Sequence, residues 1–244
     1  MSDKVALITG GARGIGREIA LALAEREWSV AVCYRKSRKE AAETVKEIER
    51  RGGRGAHHKC DVSNPSSAVE LVRKVEEEWG RIDALINGAG PYHRVNLLKE
   101  SVEGWHEMFD NNLHPVFYLS RTVAEGMKSR GWGRIISFGM ANADKMSAQT
   151  EITAHYIAKA GVLILTRSLA RLLAPHGITV NAISPGFIYS GSAPMEELES
   201  MVKTIPAGYI GSTKDAVDAS LYLLSDEARY VNGTNIHLSG GWGL

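Results

Sequence analysis

The stretch Val5-Ala6-Leu7-Ile8-Thr9-Gly10-Gly11-Ala12-Arg13-Gly14-Ile15-Gly16 passes from an apolar segment of strand length into a glycine-rich turn, and residues of helical period follow it. A strand that feeds a helix in this way is the opening unit of a parallel sheet wrapped by crossover helices. Gly10, Gly14 and Gly16 lack the Cβ that would hold the backbone away from a phosphate. A helix that begins near Ile15 offers unpaired N–H groups and a partial positive charge to the same anion. Three residues separate Gly10 from Gly14, so the spacing is not G-x-G-x-x-G. The turn is read as the cradle of a dinucleotide pyrophosphate, against the plainer alternative of a tight connection.

The same alternation continues along the chain. Val30 to Tyr34, Ala84 to Asn87, Arg134 to Phe138, Thr179 to Ile183 and Asn235 to Leu238 are further strands, with a less apolar one ending at Cys60. Helical period marks Ile15 to Glu27, Lys39 to Arg51, Ser66 to Trp79, Trp105 to Lys128, Ala154 to Leu173 and Thr213 to Leu224. Ser63 and Asn64 before Pro65 form a start signal for the third helix. The expectation is an α/β fold: a single Rossmann-type doubly wound domain over residues 1–244, with a seven-stranded parallel sheet and helices on both faces. A length of 244 residues with 44% hydrophobic content suits one such core. Tyr189 to Tyr209, of mixed polarity with Pro194 and Pro206, reads as a mobile flap.

Composition narrows the partners. Net charge is +1 with acids and bases interspersed, so no global field recruits nucleic acid or an anionic membrane. No apolar run approaches the roughly 18 residues of a membrane span. Two cysteines, each closing a strand, suggest a reducing compartment, and the protein is expected to be cytoplasmic. The histidines at positions 57, 58, 93, 106 and 114 show no recognisable ligand spacing, so no metal is expected.

At the end of the second strand, where an acid would receive a ribose 2′-hydroxyl, the chain reads Tyr34-Arg35-Lys36-Ser37-Arg38-Lys39. Arg35 and Lys36 suit a 2′-phosphate, and Arg13 in the glycine turn points to the same pocket. The expected cofactor is NADP(H).

Thr9, Gly10, Gly14 and Gly16 as T-G-x-x-x-G-x-G, then Cys60-Asp61-Val62, Asn87-Gly88-Ala89-Gly90 and Pro185-Gly186, together resemble the short-chain dehydrogenase/reductase family, nearest to its 3-oxoacyl-carrier-protein reductase branch. Arg134-Ile135-Ile136, Val180-Asn181-Ala182-Ile183-Ser184 and Gly240-Gly241 extend the likeness over nearly the whole chain. The resemblance implies that Gly10, Gly14, Ile15 and Gly16 hold the pyrophosphate of the cofactor, with Arg13 among them at the 2′-phosphate, and that Asp61 and Val62 meet the adenine. It implies that Asn87, Gly88 and Ala89 flank the cofactor, that Pro185 and Gly186 close over the nicotinamide, and that the Ile188 backbone meets the carboxamide. It implies too that the helix of Gly161 to Leu173 makes a two-fold dimer interface and the carboxyl-terminal strand completes a tetramer, so a homo-oligomer, dimer or tetramer, is expected.

For catalysis the resemblance implies Asn, Ser, Tyr and Lys, the last two as Tyr-x-x-x-Lys. Asn112 and Lys159 match. Met140 stands at the serine position, where a thioether donates no proton. His155 stands four residues before Lys159, and Tyr156 is one residue too close. On a helix advancing about 100° per residue, His155 and Tyr156 are offset from Lys159 by roughly 40° and 60° in opposite directions, so either could face the nicotinamide. Ser137 and Ser147 are candidates for the missing hydroxyl. A small carbonyl or alcohol is the expected substrate of a ketone/alcohol oxidoreductase with a non-standard active site. The alternative is an NADP-binding sensor or structural subunit without dehydrogenase activity. The usual basic residue of Ile-Pro-x-x-Arg is absent from Ile205-Pro206-Ala207-Gly208-Tyr209, which departs from a carrier-protein reductase.

Overall fold

A computed structural model describes residues 4–191 and 199–243. Pro194 and the rest of 192–198 in the expected flap lie outside the described residues. Seven parallel strands form one sheet: β1 (Val5–Thr9), β2 (Ser29–Tyr34), β3 (Arg54–Lys59), β4 (Ala84–Asn87), β5 (Gly133–Phe138), β6 (Ile178–Pro185) and β9 (Asn235–Leu238). Their spatial order is β3-β2-β1-β4-β5-β6-β9. Between β6 and β9, β7 (Ile188–Tyr189) and β8 (Gly211–Ser212) make a separate two-stranded pair.

Strands buried on both faces need no polar alternation, which is why β1 is apolar at consecutive positions. Ala6, Ile8, Val30, Val32 and Ile86 face one layer, which contains α1 (Gly14–Ala24), α2 (Arg38–Arg50) and α7 (Thr213–Leu224). Val5, Leu7, Ala31, Leu85 and Ile135 face the other, with α3 (Pro65–Trp79), α5 (His114–Arg130) and α6 (Thr153–Leu173). The expected Asn64 cap is present: its side chain accepts from the Ser67 N–H at 2.9 Å.

The single helix expected over Trp105 to Lys128 is instead two, α4 (Val102–Asn112) and α5, joined at Leu113. Pro115 has no N–H for the Asn111 carbonyl, and its ring crowds the preceding turn, so the ladder breaks there. Trp105 and Phe109 pack together on α4, with ring centroids 5.2 Å apart, whereas Tyr118 belongs to α5 and the main core.

The chain leaves β1 for β2 on one side and reaches β4 on the other, so β1 and β4 flank the switch point of the sheet. A crevice at the carboxyl ends of those strands is where such sheets hold ligands.

Candidate active site

The glycine turn sits at that crevice. Gly10 has φ +70°, and a Cβ there would lie 2.9 Å from the Gly88 carbonyl oxygen. A Cβ on Gly16 would lie 2.5 Å from the Gly10 carbonyl oxygen, so the first turn of α1 can close against the loop only with glycine. Thr9 binds the two strand ends together: its Oγ1 accepts from the N–H groups of Gly88 at 3.1 Å and Ala89 at 3.2 Å. The Asn87 amide donates to Ser137 Oγ at 3.2 Å and its Oδ1 is buried without a hydrogen-bond partner. Ser137 is therefore inside the sheet and not a surrogate hydroxyl in the cleft.

Arg13 precedes α1 as its cap residue in extended backbone, with its side chain exposed, and Ile15 is half-buried in the first turn. Lys36 is exposed. Arg35 spans from the end of β2 to the end of α4: its Nη1 donates to Asn111 Oδ1 at 2.9 Å and lies 3.9 Å from Asp61 Oδ2. Partial burial opposes ionisation of Asp61, but hydrogen bonds from the Ser63 hydroxyl and N–H, aided by Arg35, outweigh it and hold the carboxyl below the usual range. Val62 beside it is buried. The expected cofactor residues of β1, β2, β4 and the Cys60 turn thus ring one crevice. A glycine turn at a helix start suits the phosphate of a bound anion.

Farther along the strand ends, Gly186 donates its N–H to the Leu238 carbonyl at 2.9 Å, and the Pro185 carbonyl accepts from Ala141 at 3.0 Å. Ile188 lies in β7, opposite Gly211. Phe187 stacks edge-on against Trp242, centroids 4.8 Å apart.

The two candidates on α6 have different surroundings. The Tyr156 hydroxyl donates to the Asn142 carbonyl at 2.8 Å and accepts from the Ser147 N–H at 3.1 Å, and its ring is buried with Met140, Ile152 and Leu163. That phenol anchors the loop between β5 and α6, and Ser147 is tied to it. His155 is 7% exposed, packs edge-on to Tyr92 with centroids 5.2 Å apart, and keeps Nδ1 buried without a hydrogen-bond partner.

The Pro91 carbonyl joins the remaining groups. It faces the His155 ring and also accepts from Asn112 Nδ2 at 3.1 Å, while Asn112 Oδ1 is buried without a hydrogen-bond partner. One turn on from His155, Lys159 donates to the Phe138 carbonyl at 2.8 Å. Burial lowers the Lys159 ammonium to about 8. Burial first, and then the charge of Lys159, push the His155 imidazole down to about 3 against the opposing Pro91 carbonyl. Burial thus outweighs the lysine. At neutral pH the ring is uncharged, one nitrogen donating and the other accepting.

Sequence reasoning missed Pro91, Tyr92 and Asn111. Pro91-Tyr92 follows Gly90 in a loop without period, and Asn111 differs from its neighbour Asn112 by no pattern.

The imidazole carries a stability consequence. An unfolded histidine titrates near 6.5 and this one near 3, so between those values the unfolded chain binds a proton that the folded chain does not. Stability is lost as pH falls through that window. The melting temperature of His155→Phe is expected to fall less than that of the wild type on acidification from 6.5 towards 4, by about 5 °C. Parallel curves would remove His155 as the group responsible.

Among the described residues no three or more His, Cys, Asp or Glu side chains are grouped to hold a metal, and no helix is long and apolar enough to cross a membrane.

A family model described as Enoyl-(Acyl carrier protein) reductase matches residues 10–243. The chain is 37% identical over 244 residues to the 3-oxoacyl-[acyl-carrier-protein] reductase FabG of Staphylococcus epidermidis, with 98% of each chain covered. It is 34% identical over 246 residues to the FabG of Escherichia coli, covering 98% of this chain and 96% of that one. Among solved structures, a short-chain alcohol dehydrogenase from Sinorhizobium meliloti superposes with a TM-score of 0.92 at 31% identity, covering 99% of this chain and 97% of that one. Levodione reductase superposes with a TM-score of 0.91 at 25% identity, covering 99% and 98%.

Proposed function

The chain belongs to the short-chain dehydrogenase/reductase family of oxidoreductases, and on that premise we propose that it interconverts a ketone and an alcohol with NADP(H) through a centre in which His155 occupies the usual tyrosine position. NADPH, when bound, supplies the hydride. One observation carries the reading: Asn112 and His155 both face the Pro91 carbonyl, each with a buried polar atom that has no protein partner, one turn from the buried Lys159. Buried polar groups without partners are costly, and a substrate oxygen or a water is the kind of group that satisfies them.

In this reading Arg13, Arg35 and Lys36 hold the 2′-phosphate, and Asp61 and Val62 hold the adenine. Asn87, Gly88 and Ala89 line the cofactor's side of the cleft, while Pro185, Gly186 and Ile188 close over the nicotinamide. Lys159 donates hydrogen bonds to the ribose and keeps its positive charge next to the reacting oxygen. In the tautomer that does not donate to Pro91, the neutral His155 N–H polarises the carbonyl without releasing a proton readily. Asn112 holds water at Oδ1 for reprotonation. Tyr156 is assigned to the loop and not to chemistry, because its hydroxyl already bonds Asn142 and Ser147. Exposed Ile157 and Ile164, two turns apart on α6, support a homo-oligomer, dimer or tetramer.

The test is NADPH binding by fluorescence quenching followed by NADPH consumption across a panel of small ketones. Binding with turnover on at least one ketone is expected. The double variant His155→Tyr with Met140→Ser, which restores a phenol and a hydroxyl, is expected to raise that turnover about tenfold. Tight binding with no turnover on any carbonyl, and no gain in the double variant, would instead assign a cofactor-binding sensor or structural subunit.

A further inference from the structure

Beneath the crevice the chain's two cysteines meet. β2 and β3 pair in parallel so that Cys33 stands opposite His58, and Cys60 follows two residues later on the same side of the sheet. The Cys60 N–H donates to the Tyr34 carbonyl at 2.9 Å, which keeps the strands together up to that cysteine. The Cys33 thiol donates to the Cys60 carbonyl oxygen at 3.8 Å, and the Cys60 thiol donates to the Ser67 carbonyl at 3.3 Å.

Their environments differ. Cys33 is 3% exposed within the core, whereas Cys60, 9% exposed, lines a cavity of about 500 Å³ together with His57, Lys59, Asp61, Leu71 and Lys74. The contact with Cys33, aided by the Lys74 charge, lowers the Cys60 thiol against burial and the Asp61 charge. The same thiol contact, followed by burial, pushes the Cys33 thiol up. Cys60 thus stands at the cavity and Cys33 behind it, the placement of an attacking and a resolving cysteine.

We propose that Cys33 and Cys60 are a redox pair that reduces a small hydroperoxide entering this cavity and closes to an intrachain disulfide. With hydrogen peroxide, the Cys60 thiolate attacks one oxygen, the O–O bond breaks, and the departing hydroxide takes up a proton to become water, leaving Cys60 as a sulfenic acid. The Cys33 sulfur, giving up its proton, then attacks the Cys60 sulfur. The S–O bond breaks and a second water leaves. Two thiols lose two electrons, and one peroxide becomes two waters. A dithiol reductant reverses the bond by exchange.

Cys60 adjoins Asp61 and Val62, so the disulfide shifts the adenine turn against β2 and disturbs the Asp61 contacts with Ser63 and Arg35. This consequence for the cofactor rests on the NADP(H) reading above; the disulfide does not.

Intact-mass measurement after peroxide treatment and alkylation tests the pair. The wild type is expected to lose two hydrogens, to resist alkylation, and to regain both thiols with dithiothreitol. Cys33→Ala is expected to carry added oxygens on residue 60 instead, and Cys60→Ala to keep Cys33 reduced. A wild type that keeps both thiols, or that gains oxygens on Cys60 while Cys33 stays free, overturns the proposal. The wild-type mass does not depend on either variant folding. NADPH affinity of the wild type is expected to fall about fivefold on oxidation, the worth of about one hydrogen bond. An unchanged affinity overturns the coupling. Absence of NADPH binding in the reduced protein overturns the cofactor reading, while the mass result still decides the disulfide.

Discussion

Replacing Lys159 by methionine is expected to lower turnover by about 10³-fold, within the range of a group that assists proton transfer, while the protein stays folded. The ammonium is buried one turn from His155 and donates to the Phe138 carbonyl. Methionine fills similar space without charge. It leaves that carbonyl without its donor, a loss of about 1 kcal/mol, and removes the larger cost of holding a cation out of water. The melting temperature at neutral pH is therefore expected to hold or rise, which separates lost chemistry from lost structure.

The pH profile gives a second readout. Activity that needs the ammonium is present below about 8 and is lost as pH rises through it. Stability runs the other way: an unfolded lysine keeps its proton to 10.5 and the folded one releases it near 8, so wild-type stability gains across that interval. Both features should be missing from Lys159→Met. Turnover within tenfold of the wild type, measured by NADPH consumption on its best ketone, would remove Lys159 from the chemistry.

Arg35→Ser with Lys36→Ser is expected to lower the ratio of kcat/KM for NADPH over NADH by about 10²-fold, the worth of about two hydrogen bonds to a charged group. Serine is preferred to aspartate here because Arg35 lies 3.9 Å from Asp61, and a second carboxylate in its place would repel the first. The double variant also frees Asn111, so Asn111→Ala is the control. It removes only the group that steadies the guanidinium, and its ratio is expected to fall about threefold. A double variant that keeps its preference within threefold would show that no 2′-phosphate rests at these cations.

The strands and most helices were legible because a parallel sheet buries apolar runs whose period and length are local properties. Trp105 to Lys128 was read as one helix because its apolar pattern continues across the break; Pro115 was visible, but its effect depends on whether Asn111 still has a donor in the turn before it. The cofactor crevice was legible through glycines, since a missing Cβ leaves a mark in the sequence. The surroundings of the two α6 candidates were not. His155 and Tyr156 are equivalent by helical angle, and they differ by what sits opposite: Asn142 and Ser147 for one, Pro91 and Tyr92 for the other. Those contacts join segments that carry no common pattern. The dominance of burial over charge in lowering His155 follows from the same packing, which spacing does not encode.

The placement of β1 bears on how the chain is made. Of the seven strands of the sheet it is synthesised before the other six, yet it lies inside the sheet, and its second neighbour begins only at Ala84. Until then the apolar run Val5–Thr9 has one unpaired edge, and an unpaired apolar edge is a template for another chain. Such long-range pairing is slow because loop closure precedes its reward. The interval between synthesis of β2 and arrival of β4 is accordingly when this protein most depends on dilution or a chaperone to stay single.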